Sequence, residues 1–315
     1  MKKFKLILAY SIILFINLLF GVKYLSRFSE YGVLLAFLIL GIQIISIIFF
    51  NKRIPFKGKI KYIFILFLIF LFGVAIISHY YVSTQSLNVD RASVINSFLS
   101  KLFSGNYPYF AKSQVGNYPG PMPVYFLIAL PFQLTGELNI LSTLGYFIFF
   151  LMLIMQPVKP KFSVVILFVT SLFIYWEIAT RSNIFTNSLI ILLVINFFLR
   201  INKNDLNKRF FSSALLTGFF LSTRSIFILV YIITFFSSYL RKEMKFKSLV
   251  KYSLMAMAIF IFTFVPLILF FKNDFFIMNP FIIQSAFLIP KGYILIFILI
   301  SFVFSFYVKN DIDTY

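Results

Sequence analysis

Apolar residues occur along this chain in long runs that are separated by short polar segments. A helix crosses a bilayer in roughly 17–25 apolar residues. Such runs lie at 4–22, 33–50, 60–82, 139–156, 162–178, 184–200, 225–240, 249–271 and 292–308. Two shorter runs, 122–136 and 210–222, are ambiguous. The pattern predicts an all-α polytopic membrane protein with about 10–11 transmembrane helices, forming a single integral membrane domain over residues 1–315.

Composition agrees with a membrane protein and excludes several chemistries. The chain is 61% hydrophobic with 12% charged residues, whereas a soluble domain has about 25% charged residues. The net charge of +20 is explained by Lys and Arg flanking the spans, so no nucleic-acid partner is expected. No cysteine and one histidine are present, which excludes disulfides, a thiolate nucleophile and a Cys/His zinc cluster.

The distribution of basic residues predicts the orientation of the spans. The N-terminal run reads as a retained first helix, because no small-residue cleavage site follows it. With Lys2, Lys3 and Lys5 in the cytoplasm and 122–136 re-entering on the same side, most of the 29 basic residues are cytoplasmic. If 122–136 crossed fully, most would face outside. The positive-inside rule therefore favours an orientation with both termini in the cytoplasm and outer loops at 84–121 and 272–291.

The first outer loop belongs to the longest polar segment, which runs from Thr84 to Pro123. Residues 90–104 carry apolar side chains with helical spacing, which predicts an amphipathic helix lying flat on the membrane surface. Gly105 is expected to end this helix. The predicted apolar face comprises Val94, Ile95, Phe98, Leu99, Leu102 and Phe103.

Asp90 is the leading candidate for chemistry. The chain has nine acidic residues, and those predicted outside or near the outer boundary are Glu30, Asp90, Glu137, Glu177 and Asp274. Asp90 alone lies in the long loop. A carboxylate there could serve as a general base, or it could cap the predicted helix, and the two roles are compatible.

Two further groups of charges are candidate substrate contacts. Glu177 and Arg181 are four residues apart, which would place them on one helix face as a functional pair or as an interfacial ion pair beside Trp176. Arg224 interrupts two apolar runs. It lies in a short outer turn with no further role, or it binds an anion. A guanidinium is suited to bidentate contact with a phosphate.

The remaining candidates lie in the long loop. Four tyrosines, Tyr107, Tyr109, Tyr118 and Tyr125, could stack on a sugar or sit at the membrane interface. Lys112 and Asn117 could bind a polar substrate or could be solvated residues of the loop. Arg91, next to Asp90, is a further candidate substrate contact. No GxxxxGK, HExxH or G-x-S-x-G motif occurs, so neither nucleotide hydrolysis nor the hydrolase mechanisms are supported.

The order of these features resembles the GT-C family of glycosyltransferases, which use polyprenyl-phosphate sugars, and in particular uncharacterised bacterial relatives. The resemblance covers roughly residues 60–240. The matching segments are Asp90-Arg91, Gly105-Asn106-Tyr107-Pro108-Tyr109, Gly120-Pro121-Met122-Pro123, Leu130-Pro131-Phe132 and Gly218 to Val230.

The resemblance implies that Asp90 acts as the loop carboxylate. The family often carries two acidic residues there, whereas this chain has Val89-Asp90-Arg91, so a divalent metal is left open and no metal ligand is assigned. The predicted function is transfer of a sugar from a polyprenyl-phosphate donor to an acceptor at the outer face of the bacterial inner membrane, with Arg181 or Arg224 holding the departing phosphate. A transporter or flippase of lipid-linked glycans and a non-catalytic membrane subunit remain the alternatives, and protein partners are unknown.

Overall fold

A computed structural model of the protein describes residues 2–27, 29–50, 59–83, 87, 89–155, 162–200, 206–287 and 291–308. The predicted basic loop at 51–58 and positions 84–86 and 88 of the outer loop lie outside the described residues. All regular structure within the described ranges is helical, which confirms the all-α prediction. A short 3-10 helix spans Pro108–Phe110.

The α-helices are α1 Lys2–Leu25, α2 Gly32–Phe49, α3 Lys59–Tyr81, α4 Arg91–Phe103, α5 Pro123–Leu134, α6 Leu138–Met155, α7 Phe162–Val169, α8 Leu172–Ala179, α9 Ile184–Arg200, α10 Leu206–Leu221, α11 Phe227–Leu240, α12 Phe246–Phe262, α13 Val265–Phe271, α14 Asn273–Ile277, α15 Pro280–Phe287 and α16 Lys291–Ser305.

Several of these helices are membrane spans by length and composition. Within the described ranges, four qualify: Leu6–Leu25, Gly32–Phe49, Lys61–Tyr81 and Phe246–Phe271. The number rises to six if each of two broken helix pairs counts as one span. The predicted total of 10–11 is larger because several predicted spans fall on shorter or interrupted helices, and that total stays a prediction.

The chain divides into two compact units, which are described separately. The first unit comprises residues 1–87 and 142–184, and the second comprises 88–141 and 185–315. Compactness does not test whether a unit folds alone, so the prediction of a single membrane domain stays a prediction.

The first unit is held together by close helix packing and by buried polar side chains. Gly21 of α1 faces α2 so closely that an added Cβ would lie 2.8 Å from the Cβ of Ala36. Gln43 donates its Nε2–H to the Thr170 carbonyl at 3.1 Å, and the Ser171 hydroxyl donates to Asn17 Oδ1 at 2.7 Å. Small residues and interhelical hydrogen bonds are typical of helices packed within a membrane.

The second unit has an aromatic core that includes part of the predicted outer loop. Phe98 of α4 stacks on Phe126 of α5 with ring centroids 3.4 Å apart, and Tyr109 meets Phe98 edge to face at 5.0 Å. Further along the unit, Phe235 packs against Tyr252 at 4.8 Å. The core therefore links the loop helix to the long apolar helices.

Helix α4 corrects one prediction and confirms another. Ile95, Phe98 and Leu99 are almost completely buried, while Phe103 is exposed. The apolar face packs against the 3-10 helix and α5, so protein and not lipid covers it, because the neighbouring apolar segment offers a closer partner. Gly105 ends the helix as predicted: its φ is +75°, and the Asn106 amide donates to the Lys101 carbonyl at 3.1 Å, as in a Schellman turn.

The ambiguous segment 122–136 forms α5, which has 12 residues. At about 1.5 Å per residue, this helix is about 18 Å long, whereas the hydrocarbon core is about 30 Å thick. Gly136 then ends it with a φ of +76°. A helix of this length does not cross a bilayer by itself. Helices α5 and α6 together form either a broken span or a re-entrant loop, so the re-entrant segment stays a prediction.

Candidate functional site

Asp90 lies at the N-terminal end of α4, but its side chain does not cap the helix. Its Oδ2 atom instead accepts hydrogen bonds from Asn117 Nδ2 at 2.7 Å and from the Ser113 hydroxyl at 3.2 Å. Within the described part of the chain, Oδ1 accepts no hydrogen bond. The carboxylate is half-buried, so it is held by one oxygen and leaves the other available to a proton.

The donors to Asp90 belong to a tight turn at 113–117. The Ser113 amide donates to the Asn117 carbonyl at 2.9 Å, and Gly116 adopts a φ of +85°. Gln114 Nε2 also donates to the Val89 carbonyl at 2.6 Å. The turn is thereby tied to the residues around Asp90, and Asn117 orients the carboxylate from 27 positions away in sequence.

Arg224 lies in the turn between α10 and α11, half-buried. Its guanidinium lies against Gly120, where an added Cβ would be 3.8 Å from the nearer nitrogen. Among the described residues, no carboxylate pairs with this guanidinium. Burial lowers the pKa of Arg224, the Tyr125 phenol opposes this effect, and the charge of Arg91 lowers the pKa further. An arginine nevertheless stays charged at neutral pH. The turn therefore holds a positive charge that lies within electrostatic range of Arg91.

Tyr125, one of the tyrosines that could stack on a sugar, interacts electrostatically with Arg224. It is completely buried, and its hydroxyl has no hydrogen-bond partner among the described residues. A buried hydroxyl without a partner costs about 1–3 kcal/mol. Both Tyr125 and Arg224 would therefore gain from an anion.

Three segments that are distant in sequence meet around Arg224. The Met122 and Val124 amides donate to the Thr223 and Ser222 carbonyls at 3.2 and 3.0 Å. Gln284 of α15 donates to the Gly120 carbonyl and accepts from the Ser225 hydroxyl. The segment 272–291, predicted to be an outer loop, thus contains helices and packs on the Gly-Pro-Met-Pro segment. No sequence signal identified Gln284, because its role arises only from this contact.

Tyr107 and Tyr109 do not meet the expectation that they stack on a sugar. Tyr109 is 0% exposed and donates its hydroxyl to the Pro121 carbonyl at 3.1 Å. Tyr107 is also buried, and its hydroxyl donates to the Met278 carbonyl. Burial and, to a smaller extent, Asp274 raise the pKa of Tyr107, so this donor stays protonated. Both rings are core side chains in this structure.

The other predicted substrate contacts in the long loop differ in exposure and in their hydrogen-bond partners. Lys112 is exposed, and its ammonium lies 5.2 Å from the centroid of the Tyr118 ring. Arg91 is half-buried at the first position of α4. Asn117 is occupied by Asp90, which makes it a positioning residue for the carboxylate.

Glu177 and Arg181 belong to the first unit, and they do not share a helix face. Helix α8 ends at Ala179, and Arg181 adopts a φ of +55°. The Ser182 amide donates to the Glu177 carbonyl at 2.8 Å and the Arg181 amide to the Ile178 carbonyl at 3.0 Å. This is a Schellman turn, which the four-residue spacing alone could not reveal.

The Arg181 guanidinium binds the end of α3. Its Nη2 donates to the His79 carbonyl and to the Val82 carbonyl at 3.0 Å. These are carbonyls at a helix C-terminus, which a cation stabilises. Arg181 therefore has a structural role in the first unit, and a contact with substrate stays a prediction.

Comparison with known proteins finds no family model, curated protein or solved structure that matches this chain. Within the described ranges, no group of three or more His, Asp or Glu side chains could hold a metal ion.

Proposed function

We propose that this protein is a membrane glycosyltransferase that moves a sugar from a polyprenyl-phosphate donor to an acceptor hydroxyl at the outer face of the bacterial inner membrane. The proposal includes a GT-C-like arrangement of about 10–11 spans with cytoplasmic termini. Its support comes from the second unit, which contains both a tethered carboxylate, Asp90, and a half-buried cation, Arg224, that has no carboxylate partner among the described residues.

The observation that carries the proposal is the environment of Arg224. A half-buried guanidinium without a carboxylate partner among the described residues lies beside a buried hydroxyl that also lacks a partner. Arg91, next to Asp90 in sequence, adds a second positive charge. A phosphate would neutralise these charges and accept the hydrogen bond of Tyr125. Fixed positive charge of this kind stabilises a phosphate leaving group.

Asp90 supplies the base in this mechanism. Oδ2 is held by Asn117 and Ser113, so Oδ1, which accepts no hydrogen bond from the described residues, takes the proton from the acceptor hydroxyl. The acceptor oxygen then bonds to the anomeric carbon of the sugar while the bond from that carbon to the phosphate oxygen breaks. The electron pair of the broken bond leaves with the phosphate, which Arg224 and Arg91 hold.

The test is sugar transfer by the purified protein from a panel of polyprenyl-phosphate sugars. Asp90→Asn removes the base and is expected to lower transfer by about 100-fold or more while donor binding is kept. Arg224→Gln is expected to weaken donor binding. Glu30→Gln changes an exposed carboxylate of the first unit and serves as the control with full activity. Normal transfer by Asp90→Asn would rule out the assignment of Asp90.

The hydrogen bonds to Asp90 also favour one alternative. Because Asp90 anchors the turn at 113–117, it could act only as a structural clamp in a non-catalytic subunit. In that case, no donor would be turned over by the wild type. Asp90→Ala would then loosen the turn and increase its susceptibility to proteolysis without affecting any donor binding.

A further inference from the structure

A cavity of about 420 Å³ lies in the second unit among α10, α11, α12 and α16. Its walls are almost entirely aromatic and aliphatic, and they include Phe235, Leu249 and Phe302. Phe246 and Val250 line the cavity and are also exposed, at 61% and 39%. The cavity therefore communicates with the surface along α12, and its size and lining suit a hydrocarbon chain.

The cavity contains polar groups in addition to its apolar walls. Tyr231 lines it and is only 4% exposed, yet the hydroxyl has no hydrogen-bond partner among the described residues. The neighbouring Tyr252 hydroxyl, in contrast, bonds to Ser213 and Thr217 at 2.9 and 2.6 Å. The Tyr231 hydroxyl thus needs an acceptor oxygen, which a pure hydrocarbon does not offer.

One end of the cavity lies at the N-terminus of α12, a helix of 17 residues that begins at Phe246. The preceding and first residues include Lys245 and Lys247, both exposed, and no acidic residue occurs in the first turn. The nearby Glu243 is paired with Arg241 at 2.8 Å. Unpaired helix amides, the helix dipole and two lysines make this end suitable for a phosphate.

We propose that this cavity binds an anionic glycerophospholipid of the surrounding membrane. Its phosphate lies at the first turn of α12 beside Lys245 and Lys247, and one acyl chain enters the cavity. An ester oxygen accepts the hydrogen bond of Tyr231. The site is separate from Asp90 and does not depend on the proposed glycosyltransferase activity.

The spacing of these groups fits such a lipid. Tyr231 and Tyr252 both pack on Phe235, with centroids 5.8 and 4.8 Å away. Tyr252 is six residues after Phe246, which is about 9 Å along the helix axis. The headgroup layer of one leaflet is about 5–8 Å thick. A lipid with its phosphate at the start of α12 therefore brings its ester groups near the level of Tyr252 on that helix.

The charge of the basic end selects among lipids. Each lysine near the membrane surface contributes about 1 kcal/mol to the binding of an anionic headgroup. Two lysines correspond to about a thirtyfold preference for phosphatidylglycerol over phosphatidylcholine. A prenyl phosphate would share the phosphate contact but would leave Tyr231 without an ester acceptor.

The experiment measures lipid binding to the purified full chain by native mass spectrometry, with phosphatidylglycerol and phosphatidylcholine of equal chain length. We expect the double variant Lys245→Gln, Lys247→Gln to abolish the preference for phosphatidylglycerol. Val250→Trp fills the cavity and is expected to lower the binding affinity for both lipids at least tenfold. Tyr231→Phe is expected to weaken the ester-linked lipid several-fold and to leave an ether-linked analogue unchanged.

Lys272→Gln is the matched control, because Lys272 is an exposed lysine elsewhere in the same unit. It is expected to leave lipid binding as in the wild type. An equal effect of Lys272→Gln and the double variant would show that the attraction is general surface charge. Unchanged binding by Val250→Trp, or equal losses of ester and ether lipids by Tyr231→Phe, would overturn the proposed site.

Discussion

At the scale of single residues, a positive φ identifies positions where a side chain destabilises the local backbone. Arg181, Lys242 and Lys272 are the non-glycine residues with positive φ in the described part of the chain. Lys242, with a φ of 61°, follows α11. Its amide donates to the Tyr239 carbonyl, and the Glu243 amide donates to the Ser238 carbonyl. Lys242 therefore holds the place in a Schellman turn that glycine normally takes.

Replacement of this lysine tests the conformational cost. Lys242→Gly is expected to raise the free energy of unfolding by about 0.5–1 kcal/mol, since a left-handed residue with a Cβ costs about 1–2 kcal/mol and the extra freedom of glycine offsets part of the gain. The measurement is the unfolding midpoint in lipid-free detergent. Gly136→Ala makes the opposite change at the equivalent turn after α5 and is expected to lose about 1 kcal/mol. A lower stability of Lys242→Gly would contradict this account.

Residue types in the long loop nominated candidates for a site, and the structure shows how each of these side chains is held. Asp90 was selected because it is the single carboxylate there, and it does lie in a hydrogen-bonded site. Tyr107 and Tyr109 have the right chemistry for a sugar, but their rings fill the core. Sequence cannot separate these outcomes, because burial depends on which distant side chains arrive beside each ring.

At the scale of helices, packing is decided by where small residues allow close approach. Gly218 of α10 faces α12, and an added Cβ would lie 2.3 Å from the Ala256 carbonyl oxygen and 2.9 Å from the Ile259 Cβ. No side chain fits at position 218 without a shift of the two helices. The same two helices also join through the hydroxyl bonds of Tyr252 to Ser213 and Thr217.

Enlargement of Gly218 should therefore separate α10 from α12. Gly218→Ala is expected to lower the free energy of unfolding by about 2–3 kcal/mol, as overpacking does in a dense core. Gly41→Ala is the control, since no atom lies within 4 Å of the added Cβ, and it is expected to raise stability slightly through better helix propensity. Thermal unfolding of both variants under the same detergent conditions provides the comparison. Equal midpoints would show that the close contact does not hold the helices together.

Helix positions were predictable from the sequence, but the faces they present were less so. The apolar spacing of 90–104 correctly predicted α4, because the period of a helix is encoded locally. The same spacing cannot distinguish lipid from protein as the partner of the apolar face. In the structure, Phe126 of α5 stacks on Phe98. The partner of this apolar face is therefore protein.

At the scale of the whole molecule, the open question is which segments face each side of the membrane. The chain has no cysteine, so single introduced cysteines report accessibility without background. Val115, in the first predicted outer loop, is 42% exposed. Lys247 is an exposed residue in the first turn of α12 and belongs to a segment predicted to be cytoplasmic.

Labelling of intact cells with a membrane-impermeant maleimide should therefore differ between the two positions. Val115→Cys is expected to react in intact cells, whereas Lys247→Cys is expected to react only after permeabilisation, because the positive-inside rule retains the basic segment in the cytoplasm. Both proteins should be labelled equally after solubilisation. Reaction of both positions from the same side would require a different number of crossings between them.

The sequence by itself determined the all-helical membrane class, most helix positions and the stop at Gly105, because apolar runs, helical period and glycine conformation are local properties. Only the tertiary structure decided how Asn117 holds Asp90 and how Gly120 and Tyr125 surround Arg224. It also placed Tyr107 and Tyr109 in the core and left the hydroxyl of Tyr231, a cavity residue, without a hydrogen-bond partner among the described residues. Each of these features is a contact between segments far apart in the chain, and residue type and spacing along the sequence do not specify such contacts.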